Sequence, residues 1–221
     1  MRAPISVIIP TLNAEAGLHD CLVALTEGLE AGLIAELIVS DGGSGDATCQ
    51  IADAWGAEVL TGPASRGGQL ARGVAAACGD WVLVVHADTG LAPGWATVVA
   101  AHLGTQKAGY FRLRFDRGGR FVAGWANLRA RILGLPYGDQ GLLVPRRLYD
   151  RVGGYPDVPL MEDVALVRAL RGHLVALDAA AVTSAARYRR QGWVRRGARN
   201  LWLLTQYFAG VSPARLAEKY R

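Results

Sequence analysis

Four acidic residues and one asparagine are the residues in this chain whose types and spacing could do chemistry. Asp88 follows directly on Trp81-Val82-Leu83-Val84-Val85-His86-Ala87. Val82 to Val85 are apolar and mostly β-branched, the composition of a strand buried on both faces of a parallel sheet. A carboxylate just past such a strand suits a metal or a charged ligand, because ligands of open α/β sheets bind beyond the carboxyl ends of strands. The plainer reading is that Asp88 caps the turn that follows. Asp41 opens Asp41-Gly42-Gly43-Ser44-Gly45-Asp46, where glycines let the backbone approach a ligand closely. Asn13 closes the loop Pro10-Thr11-Leu12-Asn13. Glu162-Asp163 opens a later helix. A carboxylate there could take the proton from a hydroxyl nucleophile, or simply favour the positive end of its helix.

The elements that must position these residues are legible as alternating patterns. Residues 5–9 read as a buried strand, 15–30 as a helix with Leu18, Leu22 and Leu25 on one face, and 36–40 as a second strand. A helix over 47–55, a short strand over 58–60, and a helix over 64–78 follow, the last beginning Ser65-Arg66-Gly67-Gly68-Gln69. After the central strand, Pro93 is expected in the first turn of another helix. Such alternation implies a parallel sheet with right-handed crossovers. Loops that follow its strands share one edge, which makes Asn13, Asp41 and Asp88 spatial neighbours and argues for a nucleotide site. Residues 109–115 then alternate apolar and basic, as a half-exposed strand does. A helix over 121–133 carries Arg129 and Arg131; the loop 136–141 leads into a strand over 142–144, 153–156 form a turn, and a helix runs from 159–163 through Leu170.

Composition narrows the class. A chain of 221 residues with 51% hydrophobic and 19% charged residues has enough apolar material for one folded domain plus a small extension. The net charge of +5 is unevenly spread: residues 187–221 hold nine Lys/Arg against the single acid Glu218, whereas residues 1–186 hold fifteen against eighteen. That asymmetry points to an anionic surface or ligand near the tail and implies no nucleic-acid partner for the body. Cys21, Cys49 and Cys78 form no metal or disulfide pattern, fall in stretches read as helical, and are expected to be small buried thiols in a reducing, cytoplasmic compartment. The start shows no signal peptide, since its apolar run meets Pro10, and no run is long enough for a transmembrane helix.

Several familiar sites are missing. No Gly-x-Gly-x-x-Gly follows the first strand, no Gly-x-x-x-x-Gly-Lys-Ser/Thr is present, and there is neither a zinc-spaced His/Cys cluster nor a Gly-x-Ser-x-Gly elbow. What is present is an ordered set: Pro10-Thr11-Leu12-Asn13, Asp41 to Asp46, Arg66-Gly67-Gly68 with Arg72-Gly73, His86-Ala87-Asp88, and Glu162-Asp163. In this the chain resembles the family 2 glycosyltransferases, inverting sugar-nucleotide enzymes of the GT-A fold, over roughly residues 4–175. The resemblance implies donor-binding roles for Pro10, Thr11, Asn13, Asp41, Arg66, Arg72, His86 and Asp88, with Asp41 accepting from a base N–H. It makes Asp88 the metal-gripping last carboxylate of an Asp-x-Asp motif, and Asp163, beside Glu162, the general base. Asp139 and Gln140 match acceptor-binding positions. One departure matters: His86 stands where the family has its first Asp. Mg²⁺ or Mn²⁺ then rests on one carboxylate plus donor phosphates, which Mg²⁺ commonly accepts, while His86 could ligate a transition metal or make an ordinary hydrogen bond.

The expected architecture is α/β: a GT-A fold with a Rossmann-like, mostly parallel central sheet flanked by helices over residues 1–182. It divides into a nucleotide-binding half, 1–90, and an acceptor and catalytic half, 91–182, followed by a basic amphipathic helical extension, 183–221. The expected activity is inverting transfer of a sugar from a nucleotide diphosphate, UDP foremost, to a small or lipid-linked acceptor hydroxyl. The competing readings are a non-catalytic nucleotide-fold module that binds an anionic surface through its tail, and a nucleotidyltransferase. Residues 183–193 are inexactly similar to the Gln-x-x-Arg-Trp motif of processive relatives, whose membrane spans this chain lacks. The chain looks most like a small bacterial subgroup associated with arsenosugar biosynthesis. Residues 191–208 form an amphipathic helix on helical spacing, with Trp193, Val194, Ala198, Leu201, Trp202, Leu204 and Phe208 on one face and Arg195, Arg196, Arg199 and Gln206 on the other. Such a helix could meet the inner face of a membrane, a second subunit in a homodimer, or its own domain.

Overall fold

The computed structural model describes residues 3–220, so Met1, Arg2 and Arg221, which the expected boundaries include, lie outside the described residues. The first half alternates strand and helix: β1 (Ile5–Thr11), α1 (Glu15–Glu30), β2 (Ile34–Asp41), α2 (Thr48–Ala54), β3 (Glu58–Thr61), α3 (Arg66–Ala76) and β4 (Trp81–Val84). Then come β5 (Thr89–Leu91), α4 (Trp95–His102), β6 (Ala108–Phe115), α5 (Arg120–Leu133), a 3₁₀ turn (Gly138–Gln140) and β7 (Leu142–Pro145). They are followed by α6 (Arg146–Arg151), α7 (Glu162–Ala169), β8 (Leu174–Thr183), α8 (Ala186–Gln191), α9 (Trp193–Phe208) and α10 (Pro213–Tyr220).

The strands form one eight-stranded sheet in the order β3-β2-β1-β4-β7-β6-β8-β5. β1 pairs in parallel with β2 on one side and with β4 on the other. The chain therefore steps outward from β1 through β2 to β3, then returns across β1 to add β4. That reversal opens a crevice at the carboxyl ends of β1 and β4, the switch point where open α/β sheets bind ligands. Beyond β4 the sheet is mixed. β7 runs antiparallel to β4 and β6, β5 runs antiparallel to β8, and β6 and β8 are parallel.

Both faces of the sheet are covered, which explains the continuous apolar runs. Ile5, Val7 and Ile9 of β1 and Leu83 of β4 pack with Leu18, Leu22 and Trp95 from α1 and α4. Ile8, Val82 and Val84 point the other way, onto Leu70 and Val74 of α3 and Leu166 of α7. The period of two along each strand sends alternate side chains to opposite layers.

Three expectations need correction. Pro93 does not begin α4; Gly94 precedes it with φ 89°, and Glu27 of α1 caps the helix by accepting from the N–H groups of Gly94 and Ala96. Cys21 is buried, but Cys49 is half-buried and Cys78 is exposed, because α3 ends at Ala76 and leaves Cys78 in the turn before β4. The expected helix over 191–208 begins after Gly192, whose φ is 84°, and packs on its own domain through Leu204 of its expected apolar face together with Leu203, which lay outside that face. Leu203 and Leu204 are its buried residues; they join Leu135, Leu160, Met161, Val164, Val167 and Leu216 in one cluster. Val194, Leu201, Trp202 and Phe208 face solvent instead. α10 closes this cluster, with Leu216 fully buried.

Leu216→Ala should weaken docking of α10 and α9 by about 2–4 kcal/mol, the usual cost of emptying a buried leucine site. Amide hydrogen exchange across 193–220 reads it directly; unchanged protection there would mean the cluster does not hold the tail.

Candidate functional site

At the crevice, the loops after β1 and β2 are built by one carboxylate. Asp41, almost fully buried, accepts from the Thr11 hydroxyl at 2.8 Å, the Ser44 hydroxyl at 2.6 Å, and the N–H groups of Gly43 and Ser44 at 2.8 and 2.7 Å. Burial pushes its pKa up, but these donors outweigh that and hold it below the ordinary carboxylate range. The side chain expected to meet a base is thus largely occupied in shaping the loop. Asn13 takes a left-handed φ of 49° and accepts from the Gly45 N–H at 2.9 Å, joining the two loops. Pro10 is the half-buried penultimate residue of β1. Gln69, which its place in the sequence did not mark as functional, is buried below them and donates to the carbonyls of Thr11 and Ser40. Arg72 lies behind the loop and donates to the Asp41 carbonyl at 2.8 Å.

A cleft of about 820 Å³, counting space open to solvent, brings together Arg66, His86, Asp88, Asp139 and Asp163. Asp88 is steadied from two sides. Its carbonyl accepts from the Ser184 N–H at 3.0 Å, just past β8, and Gly17 of α1 packs so close that an added Cβ would lie 3.2 Å from the Asp88 Cα. Asp163, in the first turn of α7, accepts from the Gly138 N–H at 2.8 Å. Gly138 in turn touches His86: a Cβ there would sit 2.5 Å from its Nε2. Burial first, then the charge of Arg66, hold His86 down at about 4, so its ring is neutral at neutral pH.

Three residues expected in the site stand behind it. Glu162 is 1% exposed, does not line the cleft, and pairs with Arg66 at 3.4 Å, Nε to Oε1. Burial drives its pKa up against the pull of Arg66. Gln140, expected to bind acceptor, is fully buried and donates to the Phe111 carbonyl at 3.1 Å while its Oε1 accepts from the Tyr137 N–H. Arg72 serves the Asp41 loop and does not line the cleft. Charge and apparent spacing could not distinguish these supports from contact residues.

The tail supplies residues that were not among the expected site residues. Arg187, Tyr188, Arg196, Asn200, Leu203 and Tyr220 line the same cleft as Asp88, so the basic extension forms part of it. Tyr137 also lines it, with the Arg129 guanidinium 3.4 Å above its ring. The arginine count of the tail was a signal; which arginines turn inward was not. Backbone strain marks the same region. Among the described residues, Asn13 and Met161 are the non-glycine positions with positive φ, and Met161 lines the cleft immediately before Glu162-Asp163. Such strain persists where surrounding structure enforces it, commonly at functional sites.

The family described as Glycosyl transferase family 2 matches residues 6–156. The chain belongs to that family. The match covers the three loop motifs and the Asp88 strand and stops short of α7. Solved structures agree on a GT-A fold with a central sheet flanked by helices. S. aureus TarS aligns with a TM-score of 0.62 at 18% identity over 82% of this chain and 35% of its own. Its 1–349 fragment in complex with UDP-GlcNAc gives 0.64 at 18%, over 82% and 58%. Glucosyl-3-phosphoglycerate synthase from Mycobacterium tuberculosis, in complex with Mn²⁺ and UDP-glucose, gives 0.58 at 24%, over 82% and 69%. This family 2 chain thus spans between 35% and 69% of the lengths of these similar structures. No curated protein matches it in sequence.

Asp139 makes a pH-dependent prediction. Burial, opposed by Arg129 and reinforced by Asp163 and Asp88, raises it from 3.8 to about 6, and its Oδ1 is buried without a partner. A carboxyl raised in the folded state favours folding while protonated; that contribution is full below about pH 4 and lost as pH rises through about 6. Asp139→Asn should therefore match the parent near pH 4 and exceed its stability by about 1–3 kcal/mol near pH 8, in cation-free buffer. Denaturant unfolding at both pH values checks it; an equal difference at both would mean that burial of the ionised carboxylate is not what destabilises the parent.

Proposed function

We propose that this chain is an inverting glycosyltransferase that moves a sugar from a nucleotide diphosphate to an acceptor hydroxyl. The observation that carries the reading is that Asp88, at the switch point of the sheet, and Asp163, at the start of α7, line one cleft. An inverting transfer needs a group near the leaving diphosphate and a base on the opposite side of the sugar. Asp88 suits the first role and Asp163 the second. Asp163 also meets a structural requirement of a base: its Oδ2 is oriented by the Gly138 N–H. The loops of Pro10 to Asn13 and of Asp41 form the nucleotide end, with Arg66 and His86 between them and the sugar; Asp139 faces the acceptor. UDP is named first because similar proteins have been solved with UDP-GlcNAc and UDP-glucose.

A divalent cation fits, with one carboxylate. Among the described residues no group of three or more His, Cys, Asp and Glu side chains is arranged to hold a metal. A diphosphate bound beside Asp88 and Asp163 would bring further negative charge against their carboxylates. Mg²⁺ or Mn²⁺ held by Asp88 and donor phosphate oxygens would offset it, as is common for Mg²⁺. When bound, the ion would neutralise charge on the leaving diphosphate. Asp163 takes the acceptor proton, and residues of the tail line the cleft around it.

Two finer parts belong to the same proposal. Within the family we assign the chain to the small bacterial subgroup associated with arsenosugar biosynthesis, on its basic C-terminal extension. We also propose a cytoplasmic protein that meets the membrane surface through residues 191–208; no helix among those described is long and apolar enough to cross a bilayer.

Hydrolysis and transfer assays across UDP-, GDP- and dTDP-sugars, with and without Mg²⁺ or Mn²⁺, test the activity. Asp88→Asn should weaken cation-dependent donor binding. Asp163→Asn should leave donor binding intact and lower turnover about 10²–10⁴-fold, the usual loss on removing a general base. Full activity in Asp163→Asn would move the base elsewhere, and failure to bind any of the donors would leave a non-catalytic nucleotide fold.

A further inference from the structure

Among the described residues, α5 buries one face and leaves the other without a partner. Its inner face, Ala123, Ala126, Arg129 and Ala130, packs on β6 and the Tyr137 loop. On the opposite side Phe121, Trp125, Leu128 and Ile132 follow one another at intervals of four, three and four residues, which forms a single stripe at helical spacing. Phe121 is 97% exposed and Ile132 68%. Four large apolar side chains in line on the surface of a folded domain mark an interaction face.

A second helix with exposed apolar residues starts beside it. Trp193, the first residue of α9, seats its ring on Gly119 immediately before α5; a Cβ on Gly119 would lie 2.1 Å from it. The two helices therefore meet at their N-terminal ends, and α9 too turns large apolar residues outward, Val194 and Trp202 among them.

Charge decides the occupant. Residues 117–138 contain four arginines and no acid, and residues 179–217 contain seven arginines and no acid. Arg117, Arg120, Arg131, Arg189, Arg190 and Arg195 are exposed. A second copy would bring the same positive charges against these, which disfavours a symmetric contact. An anionic lipid surface offers apolar depth for the stripe and negative headgroups for the arginines, the requirement of an interfacial helix.

We propose that α5 is a membrane-docking helix that, with the outer face of α9, seats this protein on an anionic bilayer. The inner face of α5 reaches the catalytic cleft: Asn127 bonds both backbone groups of Leu113, and Arg129 stacks on Tyr137, which lines the cleft. Docking thus sets the cleft close to the lipid surface, where an acceptor hydroxyl carried by a lipid would be within reach. The surface proposal does not depend on the identity of the donor.

The test is co-sedimentation of the full chain with phosphatidylcholine vesicles, with and without about one third phosphatidylglycerol. Binding should require the anionic lipid and weaken at least about tenfold in roughly 0.5 M NaCl. The variant Phe121→Ser/Trp125→Ser/Ile132→Ser, changed only at exposed positions, should lose at least about tenfold in binding with its circular dichroism and melting unchanged. No binding by the parent chain, or equal binding by this variant, overturns the proposal. So does a dimeric solution mass that the variant converts to monomer, which would give the face to a second copy. Loss only on Val194→Ser/Trp202→Ser would overturn the role of α5 while leaving membrane contact through 191–208 intact.

Discussion

The cleft depends on the closeness with which two glycines let its halves approach. Gly138 donates its N–H to Asp163 while its bare Cα lies against His86, so the β7 approach, the end of β4 and the start of α7 meet at one residue. Gly67 does the same on the other flank. A Cβ there would fall 2.0 Å from the Pro156 carbonyl oxygen, and its N–H bonds the Val158 carbonyl at 3.0 Å. That contact fixes the start of α3 against the approach to α7 and allows Arg66 to reach Glu162. A side chain at Gly67 would force backbone apart, which no rotamer change can relieve, and one at Gly138 would displace the buried His86 ring. The sheet supplies the crevice; these two seams give it depth.

Within that frame, environment sorts the carboxylates into different tasks. Asp41 is surrounded by donors and kept ionised, which suits a structural anchor for the nucleotide loops. Glu162 is enclosed, driven upward by burial, and answers to Arg66. Asp139 is raised by burial and by the two cleft aspartates. The proposed pair, Asp88 and Asp163, stand at the cleft itself. Groups of one chemical type acquire distinct roles when burial and neighbouring charges separate them, the same logic that divides acid from base in characterised active sites.

The first four strands were readable because the sheet is packed on both faces, which gives β1 and β4 runs of buried, mostly apolar residues ending at Pro10 and His86. The crevice followed from their alternation with helices. β8 was not readable, and residues 174–182 stood in no expected element. Its Leu-Val-Ala-Leu-Asp-Ala-Ala-Ala-Val-Thr is rich in alanine, a poor strand former. Asp178 interrupts it where the register with β6 slips, and that carboxylate points out to Arg112 at 2.7 Å. Helix α9 was readable as a helix, but not in its orientation. It carries two apolar arcs, and only the hydrophobic cluster of Leu135, Leu160 and Leu216 decides that Leu203 and Leu204 go inside. Arg196 shows the same limit: counted with a solvated polar face, it lines the cleft and donates to the Tyr220 hydroxyl at 2.8 Å. Long-range packing, absent from any local period, chose in each case.

The central claim is that a nucleotide-sugar donor lies across the switch point with its sugar between Asp88 and Asp163. A crystal structure of the protein with Mn²⁺ and an intact or slowly hydrolysed UDP-sugar tests it most directly. The account predicts the uracil among the Pro10 and Asp41 loops, the diphosphate against Asp88, and the Asp163 carboxylate facing the anomeric carbon from the side opposite the diphosphate. A donor seated outside this cleft, or with Asp163 on the same side of the sugar as the leaving group, would contradict it.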